Sequence, residues 1–390
     1  QGHGDMVPTS LSQILEQIVN AGISVFATWQ FMRMYGTSKH AASYSAAGGT
    51  LGTLAGAAVA LLFIIYLFGS TRGRYMNKMN PAEQIESGSS IYKALFLTII
   101  PVILSQTIYQ IGYTIDDLMF GNLMALHGYK DKVVSSLQGV YNTQYNQLVN
   151  LPVAVATAMA ASTLPSIVLS RMQNDMKGVN QKITQVIKVN MVIAFPSAVG
   201  LAVLAEPIMK MLFPRLITYQ SQAIMLLTMG SGAVIFYALS TLTTSILQGH
   251  NYMKLPVIHS AISLVIHVVL LGILLVLTDL NVYALVICNV LFPMIVSMLN
   301  CRAITKYVGY RWEYLNTFIK PLLASAAMGM VAFAVYHVFY EAFENVYIVS
   351  VMAIGAAIIV YGVTILQIRC FSEEELRSIP GGRLLIRLMR

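Results

Sequence analysis

Long apolar stretches without a charge dominate the chain. Runs lacking Asp, Glu, Lys and Arg cover residues 41–71, 94–115, 133–170, 189–205, 216–253, 255–278, 280–301, 321–340 and 345–368. A further stretch, 8–34, is interrupted only by Glu16 and Arg33. A bilayer core about 30 Å thick needs roughly 20 apolar residues in helical form. The pattern therefore predicts ten transmembrane helices. The runs are too long for barrel strands and lack period-2 alternation. The expected fold class is an all-α integral membrane protein.

Within these apolar runs, polar positions recur at helical spacing. On the first helix Gln13, Gln17 and Asn20 share a face, flanked by Glu16. On the third, Gln106, Gln110, Tyr113 and Asp117 run down one side, with Tyr109 and Asp116 beside them. On the fourth, Asn142, Tyr145, Asn146 and Asn150 fall at i, i+3, i+4 and i+8. His259, Ser263 and His267 align on the seventh, and Asn289 and Asn300 on the eighth. A polar group facing lipid is costly, so such stripes either line a cavity or glue helices together. Amides and phenols suit hydrogen bonds to sugar hydroxyls.

The ionisable residues among them carry two readings each. Glu16 is a proton or cation site, or a residue at headgroup level favoured by the helix dipole. Asp116 and Asp117 are coupling-ion ligands or gate partners, or a solvated end near the outer limit of their helix. His259 and His267 neutralise a phosphate, or are satisfied core histidines. A strongly anionic headgroup calls for Arg or Lys in a cavity, and none falls near the middle of these ten helices.

Composition agrees with the pattern. Hydrophobic residues make up 57% of the chain and charged residues 10%, where soluble domains average about 25% charged. Cytoplasmic loops concentrate Lys and Arg. With the N-terminal end placed inside, 18 of the 24 basic residues, from Arg72 to Arg390, fall on inner segments. The outer segments hold Arg33, Lys39, Lys130, Lys132, Lys210 and Arg215. Both ends of the chain are then expected to be cytoplasmic. This asymmetry accounts for the net charge of +8, and no nucleic-acid partner is implied. Cys288, Cys301 and Cys370 have neither pairing nor metal-ligand spacing. With no Walker loop, metal-ligand cluster or nucleophile elbow, neither an enzyme nor a cofactor is expected. The driving force is then a cation gradient or the membrane potential, worth about 2.3 kcal/mol per charge per 100 mV.

An internal repeat bears on organisation. Gln1-Gly2-His3-Gly4-Asp5-Met6 recurs as Gln248-Gly249-His250-Asn251-Tyr252-Met253, each followed by a Pro and a new apolar helix. Six helices separate the copies, so the two lie parallel in the membrane. Four helices precede the second copy and none the first. The expectation is therefore an N-terminally truncated protein of fourteen helices: two parallel six-helix lobes plus two C-terminal helices. The expected domains are 1–70, the last two helices of the N-terminal lobe; 71–92, a cytoplasmic inter-lobe linker; 93–310, the C-terminal six-helix lobe; 311–370, the two additional helices; and 371–390, a cytoplasmic tail. Pro101, Pro152, Pro165, Pro196 and Pro293 permit kinks. Gly48, Gly49, Gly52 and Gly56 predict close helix contact.

Several of these motifs resemble one family. The segment from Gln1 to Ile18, Ile99-Ile100-Pro101, and Tyr141-Asn142-Thr143-Gln144-Tyr145-Asn146-Gln147 with Pro152 are similar to the polysaccharide biosynthesis/stage V sporulation protein B group. So are Ser372-Glu373-Glu374-Glu375 and Pro380-Gly381-Gly382. That group belongs to the MOP flippase superfamily, with the MurJ-like lipid II flippases and, more distantly, the MATE drug exporters. The resemblance implies a V-shaped pair of lobes around a central cavity. It implies alternating-access movement of a lipid-linked cell-envelope saccharide, either lipid II-like or a polysaccharide intermediate, across the bacterial cytoplasmic membrane. It places the cavity cations in helices upstream of Gln1. The implied partners are the lipid-linked oligosaccharide, membrane lipids and cell-envelope synthesis enzymes. A MATE-like cation-coupled drug exporter is the alternative, and it would need Glu16 or Asp117. A membrane-bound glycosyltransferase fits poorly, since the longest loop (72–92) holds only Glu83 and Glu86.

Overall fold

A computed structural model describes residues 7–76, 87–173 and 175–371. The first copy of the repeat (1–6), the middle of the predicted linker (77–86) and the tail motifs (372–382) lie outside the described residues. Among those described there is no strand. Two compact units, Gln1–Ile91 and Tyr92–Arg390, divide the chain.

The first unit is a helical hairpin, α1 (Val7–Tyr35) and α2 (Ala41–Met76). Its contact is made by glycines. A Cβ on Gly56 would meet the Glu16 carbonyl oxygen at 2.6 Å, and one on Gly48 would meet the Ala27 carbonyl carbon at 2.8 Å. These glycines bring the α2 backbone onto α1, as their small-residue spacing predicts. The Ser24 hydroxyl then reaches the Gly49 carbonyl at 2.8 Å. Tyr35 stacks on Tyr44 where the chain turns, with ring centroids 4.4 Å apart.

The second unit takes in all but the first residues of α3 (Gly88–Leu126) and everything after it. A single long helix follows, composed of α4 (Asp131–Gly139), a π-helical turn (Val140–Tyr145) and α5 (Asn146–Met172). Next come α6 (Met176–Val203), the short α7 (Ala205–Leu212), and α8 (Gln220–Gly230) with α9 (Ala233–Gly249). The last four are α10 (Lys254–Leu277), α11 (Val282–Ala303), α12 (Lys320–Phe343) and α13 (Val346–Gln367). Helices α9 and α11 form the centre, burying Leu242, Ile246, Leu247, Leu285 and Val296. The ends of α12 and α13 pack on each other through Met328, Ala332, Tyr336, Val349 and Ala353.

Helices lie where all ten apolar runs predict them. Seven helices among the described residues are long and apolar enough to cross a membrane, and the pair α8–α9, bent by 46°, has the composition of a broken span or a re-entrant loop. Helices α1 and α5 fall outside that set. Both carry amide-rich turns, Gln13, Gln17 and Asn20 in one and Asn146, Gln147 and Asn150 in the other.

Two expectations are corrected. Asp116 and Asp117 do not end their helix, because α3 continues to Leu126, about three turns further. The segment before residue 189 is not a loop. The Asp175 carboxylate caps α6 by accepting from the Gly178 N–H at 2.9 Å, and the helix therefore starts at Met176. Lys188 consequently lies inside a helix, 4% exposed, with its ammonium 4.0 Å from Glu313.

Candidate functional site

The helical period explains why one side of α3 is buried. Ser105, Tyr109, Gly112, Asp116, Phe120 and Met124 recur at spacings of three and four. Ser105, Gly112, Asp116, Phe120 and Met124 are buried, and Tyr109 and Tyr113 partly so. This face meets α9, α10 and α11. The Tyr109 ring stands edge-on to Phe292, with centroids 4.8 Å apart. Phe292 in turn packs against the His267 imidazole at 5.8 Å.

Polar atoms on this face form a connected network. The Tyr113 hydroxyl donates to Tyr237 Oη at 3.1 Å. Asn289 Nδ2 donates to the same Tyr237 oxygen at 3.2 Å. The Tyr145 hydroxyl donates to Asn289 Oδ1 at 2.9 Å and lies 3.2 Å from the Gly230 carbonyl. Gly230 permits that approach, because a Cβ there would overlap the Tyr145 ring. The break between α8 and α9 is thus held by an aromatic ring from the π-helical turn. The three phenols of this network, Tyr113, Tyr145 and Tyr237, each find a partner, as an amphipathic ring tends to.

Beside this network, Asp116 Oδ1 lies 2.5 Å from His267 Nε2. Asp116 is 2% exposed and His267 5%. The other ring nitrogen, Nδ1, is 3.2 Å from the Cys288 carbonyl oxygen. A carbonyl only accepts, so Nδ1 carries a hydrogen. Tyr109, Tyr113, Asp116, Tyr237, His267 and Asn289 border a cavity of about 10 Å³, the size of about one water.

A second cluster lies along α10. His259 Nδ1 sits 2.7 Å from Asn300 Oδ1, and Asn300 Nδ2 donates to Thr243 and Thr244 at 3.2 and 3.0 Å. Ser263 donates to the Phe292 carbonyl at 2.8 Å. Further out, Asn142 Nδ2 donates to Asp117 Oδ1 at 2.9 Å, and Gln138 donates to the Asp117 carbonyl at 2.8 Å.

The predicted positions therefore separate. Tyr113 and Tyr145 join the buried network, and His267 pairs with Asp116 beside it. Asn146 is buried beside it, 3.3 Å from Asn142. His259 sits in the second cluster. Asn142, Asn150, Gln106 and Gln110 are exposed. On α1, Gln13 and Gln17 are exposed, and Asn20 accepts from Ser24 at 3.0 Å. Glu16 is half-buried. The predicted stripe on the fourth helix is broken by the π-helical turn. Its extra residue rotates Asn142 and Asn150 away from Tyr145. The inward face of α3 is turned by one position from the predicted one, from Asp117 to Asp116. Tyr237 was missed altogether. Its only signal is a phenol inside an apolar run, which must place its hydroxyl somewhere.

A separate groove of about 830 Å³ is bordered by Ile99, Ile103, Val168, Arg171, Gln248 and Met253, among others. Arg171 Nη1 reaches the Gly249 carbonyl at 3.5 Å. The second copy of the repeat motif thus helps form this groove. Beside it, burial lowers the affinity of the His250 imidazole for a proton below its ordinary value, and the Arg171 charge adds to the effect.

Comparison with known proteins identifies the fold's kin. The family described as lipid II flippase MurJ matches residues 3–356. The chain belongs to that family. Three Bacillus subtilis proteins are similar along nearly its whole length. The uncharacterized membrane protein YabM is 25% identical over 100% of this chain and 71% of its own. The lipid II flippase MurJ is 25% identical over 93% of this chain and 67% of its own. Stage V sporulation protein B is 23% identical over 99% and 72%. No solved structure matches. The protein is thus an all-helical, multi-span membrane protein of a flippase family.

Proposed function

We propose that this protein moves a lipid-linked cell-envelope saccharide, lipid II-like or a polysaccharide intermediate, across the bacterial cytoplasmic membrane by alternating access. The family match across residues 3–356 carries this reading. The geometry supports it in two ways. Helices α3, α9, α10 and α11 turn phenols, amides and a carboxylate toward one another, and such groups serve transport when the helices part. The groove beside Arg171 combines an apolar bed with one guanidinium and the Gln248 and Asn251 amides. That combination suits the junction of a long hydrocarbon chain with a phosphate.

The basic-residue asymmetry supports both ends of the chain being cytoplasmic. Energy comes from an ion gradient or the membrane potential, and cell-envelope synthesis enzymes supply and consume the substrate. The cation-coupled drug-exporter reading is not favoured, because the family and the named relatives point to lipid-linked substrates.

The test uses bacteria depleted of their own flippase, with an outside-acting enzyme that cleaves lipid-linked precursor. Precursor should become cleavable only when this protein is expressed. Unchanged cleavage with the protein correctly inserted removes the proposed substrate class.

A further inference from the structure

The Asp116–His267 contact imposes a proton count. His267 Nδ1 donates to the Cys288 carbonyl, so in the neutral ring Nε2 carries a lone pair. That lone pair faces a carboxylate oxygen 2.5 Å away. Two lone pairs at that distance repel, and one bridging proton makes the contact attractive. The proton sits on the carboxyl or on the imidazole, and the pair is neutral overall in both cases. Loss of the proton leaves net charge −1 in a site about 2–5% exposed, with carboxylate facing lone pair. A second proton leaves +1, with two hydrogens facing each other. Both states are costly in apolar surroundings unless the contact opens and water enters.

The neighbours offer little to replace that proton. Tyr113 and Asp117 lie on the same helix, and Tyr141 and Tyr145 come from the π-helical turn. Tyr237 comes from α9, and Cys288 and Asn289 from α11. Asp117 is the one carboxylate among them, and its Oδ1 is taken up by Asn142. Within the α3 face, Tyr113 already donates to Tyr237. A hard cation at Asp116 would first have to displace the imidazole from Oδ1.

The mechanical consequence follows from how α3 is attached. Its outer side is apolar and exposed at Ile103, Leu104, Ile111 and Leu118. Its inner side is joined to α10 by this pair and by Gly112, where a Cβ would meet Leu264 at 3.6 Å. We propose that Asp116 and His267 form a one-proton site: with the proton bound it clasps α3 to α10, and its release opens the clasp as part of the transport cycle. The inference rests on the transport reading above, and it names the coupling ion.

The test separates the two. Spin labels are placed at the exposed positions Leu118 on α3 and Val265 on α10, with Cys288, Cys301 and Cys370 replaced by Ala. Cys288 meets His267 only through its backbone carbonyl, which the replacement keeps. The inter-label distance in lipid nanodiscs is followed from about pH 5 to about pH 9, a range in which a histidine–carboxylate pair exchanges its proton. We expect a pH-dependent distance whose closed population falls about tenfold per pH unit beyond the midpoint, the slope of one proton. Asp116→Asn and His267→Gln should each abolish the response. A distance that is constant with pH in the otherwise unchanged protein overturns the proposal, and this arm needs no variant to fold. So does a response that follows sodium concentration at fixed pH. Lipid II translocation in proteoliposomes is read alongside. If the clasp titrates but lipid II does not move, lipid II is excluded as the substrate and the proton site stands.

Discussion

The polar stripe of α1 and the polar face of α3 look alike in sequence and behave differently in the fold. Both place amides and an acid at helical spacing within an apolar run. On α1 the glycines of α2 do the packing, Gln13 and Gln17 stay exposed, and Glu16 contributes its backbone carbonyl to the contact. On α3 an acid and two phenols are drawn into the interior and meet partners from helices more than 120 residues away in the chain. Polar character alone does not make a site. What matters is whether an opposing helix presents a complementary group or a bare backbone.

The sharpest way to break this contrast is to remove each acid. Asp116→Ala leaves His267 buried without its partner, and an unpaired buried polar group costs about 1–3 kcal/mol, to which the cavity left by the side chain adds. Glu16→Ala should stay within about 0.5 kcal/mol, as at half-exposed positions without a special role. Thermal unfolding in detergent micelles measures both, and equal shifts would erase the distinction. Next in size is the hairpin's own weak point. Gly56→Leu forces side-chain atoms into the α1 backbone and should cost about 1–3 kcal/mol, read as faster proteolysis between α1 and α2. Gly230→Ala should act similarly in the second unit by expelling the Tyr145 ring.

A smaller effect is expected for Tyr145→Phe, which removes the donor to Asn289 and keeps the ring. Single interhelical hydrogen bonds in membranes average about 0.6 kcal/mol, so a melting shift near the limit of detection is expected, without loss of fold. The smallest effect concerns His250. Its proton affinity is lowered in the fold, so the unfolded chain binds the proton more readily. Stability is full above the unfolded value of about 6.5 and falls as pH drops through the lower folded value. His250→Gln should flatten that part of the stability curve.

Much of the architecture was readable in advance. Charge-free runs mark helices because backbone groups in lipid must bond internally. Gly48, Gly52 and Gly56 announced a tight contact because only glycine lets backbones touch. The site was less legible, for specific reasons. Gln110, Tyr113, Asp116 and Asp117 are all polar, so the pattern could not say which of the two adjacent acids points inward. The π-helical turn at Val140–Tyr145 changes the register of the fourth stripe, and no residue type in it requires a π turn. The start of α6 depended on Asp175 acting as a cap in a segment dense with charge, which reads as a loop when only charges are counted.

Hydrophobic patterning and charge asymmetry are properties of consecutive residues. They suffice for the membrane class, the helix positions and the expected orientation, because each helix satisfies its own backbone. Partner choice is not local. Asp116 meets His267 across 151 residues and Tyr145 meets Asn289 across 144, and those contacts are settled by how the helices of the second unit pack. The chain therefore declares a flippase-family membrane bundle from its pattern and motifs. Which acid is buried, and that it shares one proton with an imidazole, comes from the packing of α3 against α10 and α11.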